Sequence, residues 1–209
     1  MGCSASSQDD RSPISRRLHN DIFSDVNPSK TLNSSLKFCL SGSSTVGKSR
    51  FFSTFFDVPY AANTGVGGEN EAKNIYLKKT NTTYSLFLWD TAGQEKHKTI
   101  TRNFYLDAIG IFLLFDIKNK ASFEAIKTVW YPNIIETIDV TKVKVLLIAN
   151  KIDLHDPTDE GELKILKDAK AFAESNDLLF STCNSFKKEI IMDQVRILLE
   201  GITDAGLVD

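Results

Sequence analysis

Gly42-Ser43-Ser44-Thr45-Val46-Gly47-Lys48-Ser49 brings together the residue types of phosphate chemistry at the spacing that chemistry needs. Its glycines let the backbone curl so that successive N–H groups face phosphate oxygens, and a helix beginning there adds the positive end of its dipole. Lys48 supplies a mobile charge for terminal phosphates, and the Ser49 hydroxyl can ligate magnesium. The pattern G-x-x-x-x-G-K-[ST] points to a nucleoside triphosphate and to no particular base. A second group, Asp90-Thr91-Ala92-Gly93-Gln94, supplies an acid that can hold a magnesium-bound water, a glycine N–H for a γ-phosphate, and an amide that can orient an attacking water. A third, Asn150-Lys151-Ile152-Asp153, supplies the base. The Asp153 carboxylate can accept from both N1–H and the exocyclic amine of guanine, a donor pair adenine lacks, and such a site discriminates strongly. The Lys151 stem can cover one face of the ring.

These groups need rigid elements to hold them. Leu36–Leu40 is a short apolar run that reads as a buried strand, and Arg50–Phe56 is long enough for two helical turns. Strands are expected at 74–79 and 84–89, joined by the turn Thr80–Thr83, a link short enough for an antiparallel hairpin. Further buried strands fall at 110–115 and 143–149, with a short one at 178–181. Helices are expected from Ser122, with Phe123, Ile126 and Trp130 on one face, and over 161–176. A last helix carries Ile191, Val195, Leu198 and Ile202 on one side. Alternating strands and helices predict an α/β fold with a mostly parallel sheet.

Residues 1–34 read as a serine-rich tail with an acylation signal, 35–203 as the folded domain, and 204–209 as a short C-terminal tail. Met1-Gly2-Cys3-Ser4-Ala5-Ser6 fits M-G-x-x-x-[ST], so Gly2 is a candidate for myristoylation and Cys3 for palmitoylation. Two chains are what stable anchoring takes. Ser12-Pro13 followed by Ile14, Leu18 and Ile22 suits either a short amphipathic helix or plain linker. The net charge of −2 gives no electrostatic case for nucleic acid as a partner. The three cysteines are far apart and unaccompanied by histidine, which suits plain thiols in a reducing compartment. The longest apolar run is too short to span a bilayer, and the polar N-terminus is no secretory signal.

From about Leu36 to Gly201 the chain resembles a Ras-superfamily small GTPase, and within it the Rab family. The phosphate loop, Trp89-Asp90-Thr91-Ala92-Gly93-Gln94-Glu95 and Asn150-Lys151-Ile152-Asp153 occur in family order. Thr99-Ile100-Thr101, Phe104-Tyr105, Trp130 before Pro132 and Ala169–Ala173 are Rab-like phrases. The resemblance implies a P-loop NTPase three-layer sandwich, its six-stranded sheet flanked by five helices. It implies GTP/GDP and Mg2+ as ligands, slow GTP hydrolysis with Gln94 as the catalytic residue, and metal held by Ser49 and Asp90. Regulatory and effector proteins would be the partners. The Gly2-Cys3 start resembles Rab proteins that are acylated instead of prenylated, and Gly206–Asp209 offers no cysteine to prenylate. The location implied is the cytoplasmic face of a membrane, in vesicle traffic.

Two stretches depart from the family pattern. Counting from Ser49 to Asp90 puts Gly67 where the family has its switch I threonine, whereas Thr64-Gly65-Val66 matches the threonine phrase only with a deletion and a compensating insertion. A glycine there would weaken switching and hydrolysis. That motivates an alternative in which a guanine nucleotide serves a non-switching interaction or structural protein. Tyr60 matches the aromatic that flanks the base. The base-side loop S-A-K is replaced by Asn184-Ser185-Phe186 or, in a shifted register, by Cys183-Asn184-Ser185; its backbone N–H can still reach guanine. Thr45 stands where many members have glycine.

Overall fold

The computed structural model describes residues 32–60, 70–91 and 103–208, with only the backbone described for 32–34. Six strands form one sheet: β1 (Leu32–Ser41), β2 (Asn70–Leu77), β3 (Thr82–Asp90), β4 (Gly110–Asp116), β5 (Lys144–Asn150) and β6 (Leu179–Cys183). Their order is β2-β3-β1-β4-β5-β6, and all neighbouring pairs are parallel except β2 with β3. Among the described residues five α-helices flank it: α1 (Lys48–Phe56), α2 (Lys120–Ala125), α3 (Tyr131–Thr137), α4 (Glu160–Ser175) and α5 (Lys188–Asp204). The α/β sandwich expected from the sequence is therefore observed.

Alternation along the buried strands divides the core in two. Leu36, Phe38, Leu40, Phe112, Leu114, Leu146 and Ile148 face α1 and α5, meeting Phe51 and Phe55 on one helix and Ile191, Val195, Leu198 and Ile202 on the other. Cys39, Ile111, Leu113, Phe115, Val145, Leu147 and Ala149 face the opposite layer, against Phe123, Ile126, Trp130, Ile165 and Ala169. A period of two in the strands meets a period near 3.6 in the helices, giving three layers.

Several elements differ from the sequence expectation. β1 begins at Leu32, inside the stretch read as tail. The hairpin is shifted by two residues: β2 starts at Asn70, Leu77 pairs with Thr82, and Asn81 turns the chain at φ 56°. The β-branched Thr82 and Thr83, read as turn, gain ladder partners by joining β3. Between α2 and α3 lies a π turn, Ile126–Trp130, closed by the Tyr131 N–H on the Ile126 carbonyl. Pro132 stands just beyond it and cannot donate to the carbonyl four residues back, so a widened turn relieves the clash. No described helix is long and apolar enough to cross a membrane.

Candidate functional site

β1 is the point where the chain order reverses: β3 lies on one side of it and β4 on the other. In open α/β sheets this is where the carboxyl ends of strands leave a crevice. Leu40 pairs with Asp90, Asp116 with Asn150, and Asn150 with Cys183, so the three motifs sit at one edge.

The phosphate loop connects β1 to α1 through unusual backbone angles. Gly42 has φ 132°, and a side chain there would run into the Leu114 carbonyl of β4. Gly47 has φ 107°, and a Cβ would strike the Asn150 amide. Thr45 also lies in the left-handed region, at φ 63°, which explains the preference for glycine there and costs an L-residue about 1–2 kcal/mol. Lys48 is 4% exposed and folds back over the loop, donating to the carbonyls of Gly42 at 2.7 Å and Ser43 at 2.8 Å. Asn150 ties the loop to the neighbouring motif. Its Nδ2 donates to the Val46 carbonyl at 2.7 Å, and its Oδ1 accepts from the Ser185 hydroxyl at 2.9 Å. Thr54 Oγ1 of α1 donates to the Ser185 carbonyl at 2.8 Å. Asp90 is buried at the end of β3, and the adjoining Thr91 hydroxyl donates to the Leu40 carbonyl at 2.8 Å.

A cleft of about 250 Å³ opens beside this stitching, lined by Thr45, Gly47, Arg50, Tyr60, Asn150, Lys151, Asp153, Ser185 and Phe186. Lys151 stands at φ 63° and its ammonium binds Asp116 Oδ2 at 2.7 Å, which lays the stem along the cleft. Asp153 sits in the short 3₁₀ turn Ile152–Leu154. The Arg50 guanidinium lies 3.8 Å from the Tyr60 ring centre and 4.8 Å from that of Phe186. Tyr60 is 42% exposed and Phe186 67%, so both present open aromatic surface at the mouth. Beyond Asp153, the buried Glu162 of α4 holds the turn: it accepts from Lys118 Nζ and the Asp156 N–H and bonds His155 Nδ1. Lys118 and the Asp156 N–H hold its carboxyl down at about 2.

Of the base-side loop, Ser185 reaches the cleft and Cys183 and Asn184 do not. Cys183 closes β6 inside the core, where burial pushes its thiol up to about 12, and Asn184 Oδ1 accepts the Phe186 N–H. The geometry thus favours the register Asn184-Ser185-Phe186. Cys39 is equally buried, its thiol also raised to about 12. Both are free thiols, as expected from their spacing. Gly2, Cys3, the Ser12–Ile22 stretch, Thr64, Gly67, Gly93 and Gln94 lie outside the described residues. Sequence reasoning missed Arg50, which lines the cleft, and Asp116, which anchors the Lys151 ammonium beside it. Asp116 carried a signal, an acid directly after a buried strand and level with Asn150; Arg50 carried none beyond following Ser49.

Residues 37–204 match the Ras family. Rab-1 of Theileria annulata is 37% identical over 144 residues, covering 68% of this chain and 62% of that protein. Human Rab-3B is 35% identical over 133 residues, 61% of this chain and 59% of that one. Human EF-hand calcium-binding domain-containing protein 4B is 31% identical over 173 residues, 78% of this chain but 22% of that protein. The chain therefore spans less than two thirds of the length of these relatives.

Proposed function

Because the chain belongs to the Ras family, we propose that it is a Rab-like small GTPase that binds GTP and GDP, hydrolyses GTP slowly, and works as a membrane-anchored switch in vesicle traffic. The observation that carries this reading is the Asn150 bridge. From the end of β5, just before the turn bearing Asp153, one amide ties the loop built for phosphate to Ser185 of the base-side loop, so phosphate and base subsites share one rigid frame. The residues fit the ligand: Gly42 and Gly47 take left-handed angles and let the loop close against Leu114 and Asn150, where any Cβ would collide, and Lys48 stands over the loop.

In this reading the loop amides and Lys48 bind the phosphates, and Asp153 accepts the guanine donors. Lys151, Tyr60 and Phe186 flank the base, with the Ser185 N–H available to its oxygen. Asn150 positions the loop. Ser49 and, through water, Asp90 would hold magnesium, which takes most of its ligands from phosphate and water and would neutralise developing phosphate charge. Gln94 would orient the attacking water. Gly2 and Cys3 would carry the two acyl chains that stable anchoring takes.

The test is nucleotide extracted from purified protein, followed by single-turnover hydrolysis. Bound guanine nucleotide, slow conversion of GTP to GDP, and loss of that conversion in Gln94→Leu are expected. Asp153→Asn should lose the preference for GTP over ATP. GTP held but never turned over, with Gln94→Leu indistinguishable, would leave the non-switching alternative standing. For the anchor, Gly2→Ala should release the protein from membranes; an unchanged membrane fraction overturns it.

A further inference from the structure

The Trp130 indole reaches the phosphate loop, 87 residues away in sequence. Trp130 closes the π turn, is 6% exposed, and packs in the core layer with Ile126 and Ile134. Its Nε1–H donates to the Ser43 hydroxyl at 3.1 Å. The same serine accepts Lys48 Nζ through its carbonyl at 2.8 Å. An indole can only donate, and a buried donor without an acceptor is costly, so this contact holds both partners. The π turn matters because inserting one residue into a helical turn rotates every side chain before it relative to those after it. Trp130 is the last residue of that insertion, and Pro132 fixes where it falls.

We propose that Trp130 is a positioning residue of the phosphate loop: its indole N–H holds Ser43 so that the Ser43 carbonyl stays aimed at Lys48, and this hold lengthens the residence of bound nucleotide. The proposal rests on the reading that Gly42–Ser49 binds nucleotide. Asn150 secures the far end of the loop through Val46, and Trp130 secures its near end from the opposite helical layer.

Two measurements on the full chain test it. The protein has two tryptophans, so an amide correlation spectrum shows two indole N–H signals, and the one absent from Trp130→Phe is that of Trp130. Ser43→Ala should shift that signal and speed its solvent exchange, and Ser43→Thr, which keeps the hydroxyl, should restore it. An unmoved signal overturns the contact, whether or not nucleotide is present. The second measurement is GDP dissociation followed with a fluorescent analogue. Trp130→Phe and Ser43→Ala should each speed release roughly three- to tenfold, the scale of one net hydrogen bond, and the double variant no more than either alone. Additive effects mean that Trp130 acts through packing, and a wild-type rate in Trp130→Phe means that it does not act on the loop; either overturns the proposal. Wild-type protein that retains no guanine nucleotide overturns the reading beneath it instead, and with it the residence claim, while the spectral arm still decides the contact.

Discussion

Asn150→Ala is the perturbation whose consequence the structure fixes most tightly. The side chain is buried and makes two hydrogen bonds to groups far away in sequence, the Val46 carbonyl at 2.7 Å and the Ser185 hydroxyl at 2.9 Å. Two net hydrogen bonds contribute about 1 kcal/mol each, and leaving a buried partner unsatisfied costs about 1–3 kcal/mol more, so at least about 3 kcal/mol is at stake. For a chain of this size that is a fall in melting temperature of roughly 6–12 °C. Where the same strain appears in the nucleotide complex, 3 kcal/mol corresponds to about 150-fold in dissociation. Asn150→Asp sharpens the case. It keeps an acceptor for Ser185 but sets a carboxylate oxygen against the Val46 carbonyl, so it should be at least as damaging as alanine. Thermal melting and GDP dissociation read both variants. A melting temperature within about 2 °C of wild type, less than such a buried pair contributes, would refute the reasoning, as would an Asp variant milder than Ala.

Thr45→Gly should raise the melting temperature slightly, because relief of a left-handed φ returns about 1–2 kcal/mol and the extra unfolded-state entropy of glycine offsets part of it. Phe186→Ala should weaken GDP binding by about 1 kcal/mol or more, the scale of base–aromatic stacking, and leave the affinity for inorganic tripolyphosphate as in wild type; equal losses for both would refute a role at the base. Acidification should loosen the turn that carries Asp153. The folded Glu162 carboxyl lies at about 2, below its ordinary 4.5, so its contribution is complete above that ordinary value and is lost as the pH falls toward 2. Glu162→Gln should flatten that part of a stability-against-pH profile, and an unchanged slope between pH 5 and 3, the range where an unfolded carboxylate begins to bind its proton, would refute it.

Much of this molecule is legible from periodicity alone. Phe123, Ile126 and Trp130 share one buried layer, as do Ile191, Val195, Leu198 and Ile202, because each set repeats at helical spacing. The three motif stretches end at one sheet edge because each follows a buried parallel strand. What the sequence conceals is partner choice at long range. That Lys151 pairs with Asp116, that Arg50 lies between Tyr60 and Phe186, and that Trp130 reaches Ser43 follow from packing between elements, for which no local pattern exists. The hairpin shift has another cause: Thr82 and Thr83 suit turn and strand alike, and pairing with Leu77 and Tyr76 decided for strand.

The Asn150 bridge also orders events during synthesis. It joins Val46 to a residue 104 positions later, and the Ser185 carbonyl bonded to Thr54 lies 131 positions beyond that threonine. Contacts of such sequence separation form late, since the intervening chain must first be ordered. A ribosome-bound chain therefore carries its glycine loop long before it carries the frame that holds the loop. On the proposed reading, nucleotide capture would accordingly report that translation has passed Ser185, making the ligand a marker of completed folding.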